Sequence, residues 1–272
     1  MSKNKLLIID PQNDFMPLPN SALGVPGADR DMDRLAALIA SEKSNFDEIT
    51  VTLDSHAHYG VERPSYWLTS ELTQPAPFTP VTADDVLAGR LVPRDLNLMP
   101  QVIWMLRELE RSQSGPMMIW PVHCVVGTWG HAIYEPLAQA LAQWQEKNGK
   151  AVNYVFKGQN PHTEHFSAVK ADVVLVQDPH TDWNRSLLNW VGTESASTLW
   201  VAGEASSHCV RFTVQDILTW IQQAAQGELG PRVVLLEDCM SAVPGFEAAA
   251  TEFFAFAMSR SCARVTSTDL LG

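Results

Sequence analysis

The feature that most constrains this chain is a recurring one. Short, continuous apolar runs ("LLIID", "ITVTLD", "MMIWPV", "VNYVFKG", "STLWVAG" and "RVVLLED") return along its length. Hydrophobicity that is continuous rather than alternating marks strands covered on both faces, the habit of a parallel sheet. Between these runs, "DMDRLAALIASEK", "QVIWMLRELERS", "EPLAQALAQWQEK" and "FTVQDILTWIQQAAQ" carry apolar residues at helical spacing. Strand and helix in alternation predict an α/β fold, a three-layer α/β/α sandwich around a six-stranded, mainly parallel sheet. The chain has 272 residues, enough for a sizeable core, and residues 1–272 read as one domain.

The stretch at about 59–116 breaks the rhythm. "ERPSYWLTSELTQPAPFTPVTADD" is rich in Pro, Thr and Ser and precedes a helix near Pro100 to Arg111. It reads as a long excursion over one face, and long connections in compact domains tend to be lids, binding loops or disorder.

Charge narrows the partners. Lys and Arg total 19 against 31 acidic residues, a net charge of −12, which argues against nucleic acid and anionic membrane as partners, both bound through basic surface. No apolar stretch has the length to span a bilayer, and "MSKNKLLIIDPQNDF" meets charge at Asp10 too soon for a signal peptide. The four cysteines, Cys124, Cys209, Cys239 and Cys262, form no CxxC pair. Reduced thiols and a cytoplasmic location are the expectation.

In an open parallel sheet, ligands bind beyond the carboxyl ends of the strands. The polar residues just past the apolar runs are Asp10, Asp54, His56, His123, Lys157, Glu204 to Cys209, and Asp238. Each alone is ordinary, since an aspartate there caps a turn and a lysine is a solvated charge. Facing one pocket, the Lys157 ammonium keeps the Asp10 carboxylate ionised and lowers the pKa of a neighbouring thiol. Cys209 stands where a strand ends and a helix begins, where unpaired N–H groups favour a thiolate and would stabilise an oxyanion. Gly203, Ala205, Ser206 and Ser207 permit a sharp turn there, and Gly158 suits a close backbone approach. Cys239 and Cys262 read as structural.

Asp54 and His56, two apart on an extended segment, point to the same side. With His123 they make a carboxylate–two-histidine set suited to one divalent ion, Zn²⁺, Mn²⁺ or Fe²⁺, with open positions for water. His58, Glu62 and Cys124 are near enough to leave the ligand list open. His131, His162, His165, His180 and His208 read as structural or solvated.

The pieces "LLIIDPQNDF", "VTLDSHAH", "WPVHCVVGTWG", "FKG" followed by "HFSA", and "VAGEASSHCV" resemble, in this order, the isochorismatase-like cysteine hydrolases, and nicotinamidases most of all. They run from the first strand to the fifth, so the resemblance covers all but the excursion. It implies a triad of Asp10, Lys157 and Cys209, and a non-proline cis peptide between Glu204 and Ala205 that aims the N–H groups of Ala205 and Cys209 at an oxyanion. It implies Asp54, His56 and His123 as ligands of a metal, zinc above all, that orients a pyridine nitrogen. Phe15, Trp120 and Phe166 would contact the substrate, a small amide such as nicotinamide. Homo-oligomers are usual in the family. Three departures surround the pocket. A further histidine after the D-x-H pair is replaced by His58 or Glu62, Glu204 stands where an apolar residue is usual, and "KGQNPHTEHFSA" is long and polar.

The leading expectation is therefore a metal-containing cysteine amidohydrolase that forms a thioester on Cys209. Within that class, another small amide, carbamoyl or ureido compound competes with nicotinamide. A non-catalytic binding protein on the same fold is the alternative from another class, and redox sensing through Cys209 and Cys124 is weaker still.

Overall fold

The computed structural model describes residues 3–112, 115–224 and 230–271. Ala225 and Gln226, which close the last helical run above, and positions 113 and 114 of the excursion lie outside them. The strands are β1 (Asn4–Ile9), β2 (Glu48–Asp54), β3 (Trp67–Thr69), β4 (Thr79–Val81), β5 (Leu91–Pro93), β6 (Met117–Ile119), β7 (Asn153–Lys157), β8 (Thr198–Gly203), β9 (Arg232–Leu236) and β10 (Ala263–Val265). The α-helices are α1 (Ala28–Ala40), α2 (Ala83–Leu87), α3 (Met99–Arg111), α4 (Glu135–Asn148), α5 (Arg185–Val191), α6 (Cys209–Ala224), α7 (Glu247–Ser259) and α8 (Ser267–Leu271).

One six-stranded sheet in the order β10-β9-β8-β1-β2-β7, parallel throughout, forms the centre. Its two faces follow from alternation along β1. Leu6 and Ile8 pack with Met32, Leu35 and Ile39 of α1 and Leu137, Leu141 and Trp144 of α4. Leu7 and Ile9 pack with Leu187 and Leu188 of α5, Val210, Val214 and Ile217 of α6, and Phe253 of α7. The expected three-layer sandwich is thus the observed one, and a strand covered on both faces has no polar side to show.

The strand count agrees with expectation, but one member differs. "MMIWPV" supplies β6, which stands outside the central sheet and pairs antiparallel with β4. The sixth place belongs to β10, whose "ARV" carries an exposed arginine because it is an edge strand. At the other edge, Tyr154 and Phe156 of β7 are exposed.

The excursion is folded rather than draped. β3 pairs with β5 and β4 with β6, both antiparallel, and α2 and α3 cover them. Tyr66, Trp67, Val81, Val86, Val102, Met105, Leu106, Met117 and Ile119 form a separate core cluster there. Its two ends meet, for the Trp120 N–H donates to the Glu62 carbonyl at 2.9 Å. Among the described residues, no helix is long and apolar enough to cross a membrane.

The chain order along the sheet reverses between β1 and β8. From β1 the chain moves through β2 to β7, then restarts at β8 and moves through β9 to β10. That switch point opens a crevice at the carboxyl ends of β1 and β8.

Candidate active site

Three strand ends meet at this crevice. Asp10 directly follows β1 in a left-handed conformation (φ 48°) and is fully buried. Thr52 Oγ1 donates to Asp10 Oδ1 at 2.6 Å, and the Asp10 N–H donates to the Thr52 carbonyl at 3.1 Å. Lys157 ends β7, two strands from β1, roughly 10 Å across the sheet at the usual strand spacing, and its stem crosses that span. Its Nζ lies 3.0 Å from Asp10 Oδ2, 2.9 Å from Asp54 Oδ1 and 3.5 Å from Cys209 Sγ, and it donates to the His165 carbonyl at 3.2 Å. Cys209, the first residue of α6, has Asp10 as a close acidic neighbour. Residues 10, 157 and 209 are therefore brought together as expected.

Burial sets their charge states. An ammonium and carboxylates taken out of water cost several kcal/mol each unless paired. Burial pushes the Asp10 carboxyl up, with Lys157 pulling the other way. Burial opposes the Lys157 ammonium too, but Asp10 and Asp54 prevail and hold its pKa well above ordinary. The Cys209 thiol is pushed well up by burial, which Lys157 only partly offsets. Lys157 does lower this thiol's pKa as expected, but burial outweighs it and the net direction is upward. A thiol that is 7% exposed has lost the water that would solvate its charge. The site holds an ion pair and a neutral thiol, with a carboxylate next to the S–H.

The turn carrying Cys209 is fixed from several sides. Gly203 (φ 124°) presses so close to β1 that a Cβ on it would meet the Ile9 carbonyl oxygen at 2.0 Å, so only glycine fits. The Glu204–Ala205 peptide is cis. The Ser206 N–H donates to the Ser241 carbonyl at 2.8 Å, and the Val243 N–H donates to Ser207 Oγ at 3.1 Å. The segment after β9 is thereby fastened to the turn.

Beside the triad, Asp54, His56 and His123 present ligand atoms within 4.8 Å of one another, all buried. His56 Nε2 lies 2.8 Å and His123 Nε2 3.4 Å from Asp54 Oδ2. The far nitrogens are also engaged. His56 Nδ1 faces Glu62 Oε1 at 3.2 Å, and His123 Nδ1 lies 2.8 Å from the Pro121 carbonyl and 2.9 Å from Arg63 Nη1. The Nε2 atoms of both rings thus converge on Asp54 Oδ2, where a cation could replace the N–H protons that now bridge them. This donor set fits a divalent cation. Asp54 is held well below the usual carboxylate range, His56 and Lys157 outweighing the effect of burial. Against burial, Asp54 raises His56 to about 9. Gly158 permits the close approach, since a Cβ there would meet His56 Cε1 at 2.8 Å.

The two open candidates separate. His58 is exposed, with its carbonyl accepting from Ser65 Oγ, while Glu62 is buried between His56 and Arg63. Cys124 is buried behind the set, its N–H donating to Asp14 Oδ2 at 2.7 Å. Asp238 does not converge on the site. It accepts from the backbone N–H and the Oγ of Ser267 at the start of α8.

A pocket opens over Cys209, walled by Phe15, Trp120, Phe166, Glu164, His208 and Val243 among others. The three expected aromatic residues thus line it. His165 and His208, read as structural or solvated, line it as well. The His208 ring stands 5.4 Å from Trp120 and 4.7 Å from Phe246, and Phe78 of the excursion stands over Trp120 at 6.0 Å. Trp120 Nε1 and Glu164 Oε2 are buried without a hydrogen-bond partner, and burial with neighbouring carboxylates raises Glu164 to about 8. Sequence reasoning also missed Gln12, which clamps the Asp54 backbone from both sides at 2.8 and 2.7 Å, and Arg63, which reaches the His123 carbonyl at 2.9 Å. The only signal for either was its place in a quoted motif.

No protein-family model matches the chain. It is 27% identical over 220 residues to a nicotinamidase of Escherichia coli (strain K12), covering 80% of this chain and 78% of that protein. Its fold superposes on that of an Acinetobacter baumannii nicotinamidase/pyrazinamidase with a TM-score of 0.64, 18% identity and 99% of each chain covered. A pyrazinamidase of Pyrococcus horikoshii in complex with zinc gives a TM-score of 0.53 at 19% identity, covering 97% of this chain and 99% of that one. The resemblance read from the motifs is borne out in sequence and in fold.

Proposed function

From a chain that is isochorismatase-like in fold and similar to nicotinamidases in sequence, we propose a cysteine amidohydrolase acting on a small amide, with nicotinamide converted to nicotinate and ammonia as its reaction. The observation that carries the reading is the position of Lys157 Nζ, 3.0 Å from Asp10 Oδ2 and 3.5 Å from Cys209 Sγ, at the crevice beside the Asp54, His56 and His123 set.

The chemistry follows from the charge states. Asp10, its carboxyl raised by burial and so a better base, takes the Cys209 proton as sulfur attacks the amide carbonyl. The negative charge that develops on oxygen is met by the N–H groups of Ala205 and Cys209. Asp10 returns the proton to the departing ammonia, leaving a thioester. A water entering the same place gives a proton to Asp10, attacks the thioester carbonyl, and the acid leaves as the thiol is reprotonated. Through both halves Lys157 keeps Asp10 from holding its proton too tightly. Phe15, Trp120 and Phe166 wall an aromatic substrate. A divalent ion held by Asp54, His56 and His123 would supply a Lewis-acidic anchor for a substrate atom such as a ring nitrogen.

A second substrate reading rests on Trp120 Nε1 and Glu164 Oε2. An unpaired donor and an unpaired carboxyl in one pocket suit a carbamoyl or ureido compound, which offers a carbonyl to the first and N–H groups to the second. One assay decides between them: ammonia release from nicotinamide and a panel of small amides and ureido compounds, with and without Zn²⁺, Mn²⁺ and Fe²⁺. Nicotinamide is expected to be turned over, and Cys209→Ala to abolish turnover while leaving the melting temperature near that of the unaltered protein. Turnover retained in Cys209→Ala would exclude the mechanism.

A further inference from the structure

Glu204 directly precedes the turn that carries Cys209, and it is fully buried. Its N–H continues the β8–β1 ladder by donating to the Ile9 carbonyl at 2.8 Å. Its Oε2 accepts from the Ser241 N–H at 3.1 Å, while Oε1 is buried and accepts no hydrogen bond. The side chain beside it is Asp31 of α1, which also takes Ser241 Oγ and Arg34. Two carboxyl groups in contact out of water are tolerated only when one holds a proton that the other accepts.

We propose that Glu204 is a positioning residue whose buried carboxyl group, through Ser241 and beside Asp31, fastens the nucleophile turn to α1 and to the segment after β9. The fastening has three strands: Glu204 beside Asp31, Glu204 to the Ser241 N–H, and the Ser206 N–H to the Ser241 carbonyl. Ser241 is the common post, since its hydroxyl also donates to Asp31. Through this frame the first turn of α6 is referenced to α1 on the opposite face of the sheet. What Glu204 sets is the place of Cys209 Sγ and of the N–H groups beside it relative to Asp10, and no contact with substrate is involved. The inference rests on the reading of Cys209 as the nucleophile.

The test compares Glu204→Leu with Glu204→Gln in the full chain. Glutamine can donate to Asp31 and accept from the Ser241 N–H, whereas leucine can do neither. Expected is a fall in kcat of about 10²-fold in Glu204→Leu, the size of loss that a misplacement of about 1 Å produces, with KM little changed. Glu204→Gln should restore most of kcat. Amide hydrogen exchange across 204–210 should quicken in the leucine variant and not in the glutamine one, a readout that needs no turnover. An unchanged kcat in Glu204→Leu, or glutamine as damaging as leucine, overturns the inference. Should Glu204→Leu not fold, Asp31→Ala is read in the same way, and an unchanged kcat there is equally fatal. Failure of the nucleophile reading looks different: Cys209→Ala would retain activity whatever Glu204 does.

Discussion

A residue that is ordinary on a surface becomes consequential when the fold denies it water. Lys157 is 2% exposed and stands between two buried carboxylates. Lys157→Met is therefore expected to lower stability by about 3–5 kcal/mol, because removing one partner of a buried pair strands the other charge. Urea unfolding measures this, and Cys209→Ala serves as a near-neutral control. Glu204 gives a second residue-scale outcome. Burial, then Asp31, raise its pKa well above the ordinary value, while Arg34 opposes them. The folded state thus holds a proton that the unfolded chain releases near its ordinary value. The stabilising contribution is complete below that value and is lost as pH rises toward the folded pKa. Glu204→Gln removes the titration. Melting curves should show the variant gaining on the unaltered protein from pH 5 to 9, and a constant difference would refute the buried proton.

At the scale of elements, geometry is enforced by close approach. Gly203→Ala places a Cβ within 2.0 Å of the Ile9 carbonyl oxygen. Either β8 leaves its register against β1 or the turn shifts, so the soluble, folded yield should collapse, with a cost of more than about 3 kcal/mol. Much at this scale was legible in the sequence, and the reasons differ by element. β1, β2, β8 and β9 announce themselves because both faces are covered, so their central residues are apolar or β-branched. "MMI" of β6 carries the same local signal, yet hydrophobicity reports that a strand is buried and not which strand pairs with it. β10 could not be read because an edge strand of three residues exposes Arg264. Within the site, Asp10, Lys157 and Cys209 were legible as polar ends of apolar runs. Thr52 lies inside such a run, and Glu164 and His208 lie in loops whose paths only the folded chain defines.

Over the whole molecule, the described residues form three buried clusters, two against the sheet and one within the excursion. Trp67 is fully buried in the third, its Nε1 donating to the Val61 carbonyl at 2.7 Å. Trp67→Ala is expected to cost about 3–5 kcal/mol. Because the excursion ends at β6, just before Trp120 and His123, the same change should weaken metal retention and raise KM. A lid-like excursion would move KM alone. Added Zn²⁺ should raise the melting temperature of the unaltered protein, by the equivalent of about 2.7 kcal/mol at a hundredfold excess over its dissociation constant, and leave that of His123→Ala where it was. Calorimetry with and without a chelator reads both. The interleaving of β1 between β2 and β8 also governs the order of events at the ribosome. β2 follows β1 within some tens of residues, but β8 reaches the other edge only after residue 198 has been made. For most of synthesis the edge of β1 that β8 will pair has open backbone groups, the kind of template other chains add to. The strand that closes it is the one that leads into Cys209, so on the proposed mechanism a chain that ends before β8 has both an open edge and no nucleophile.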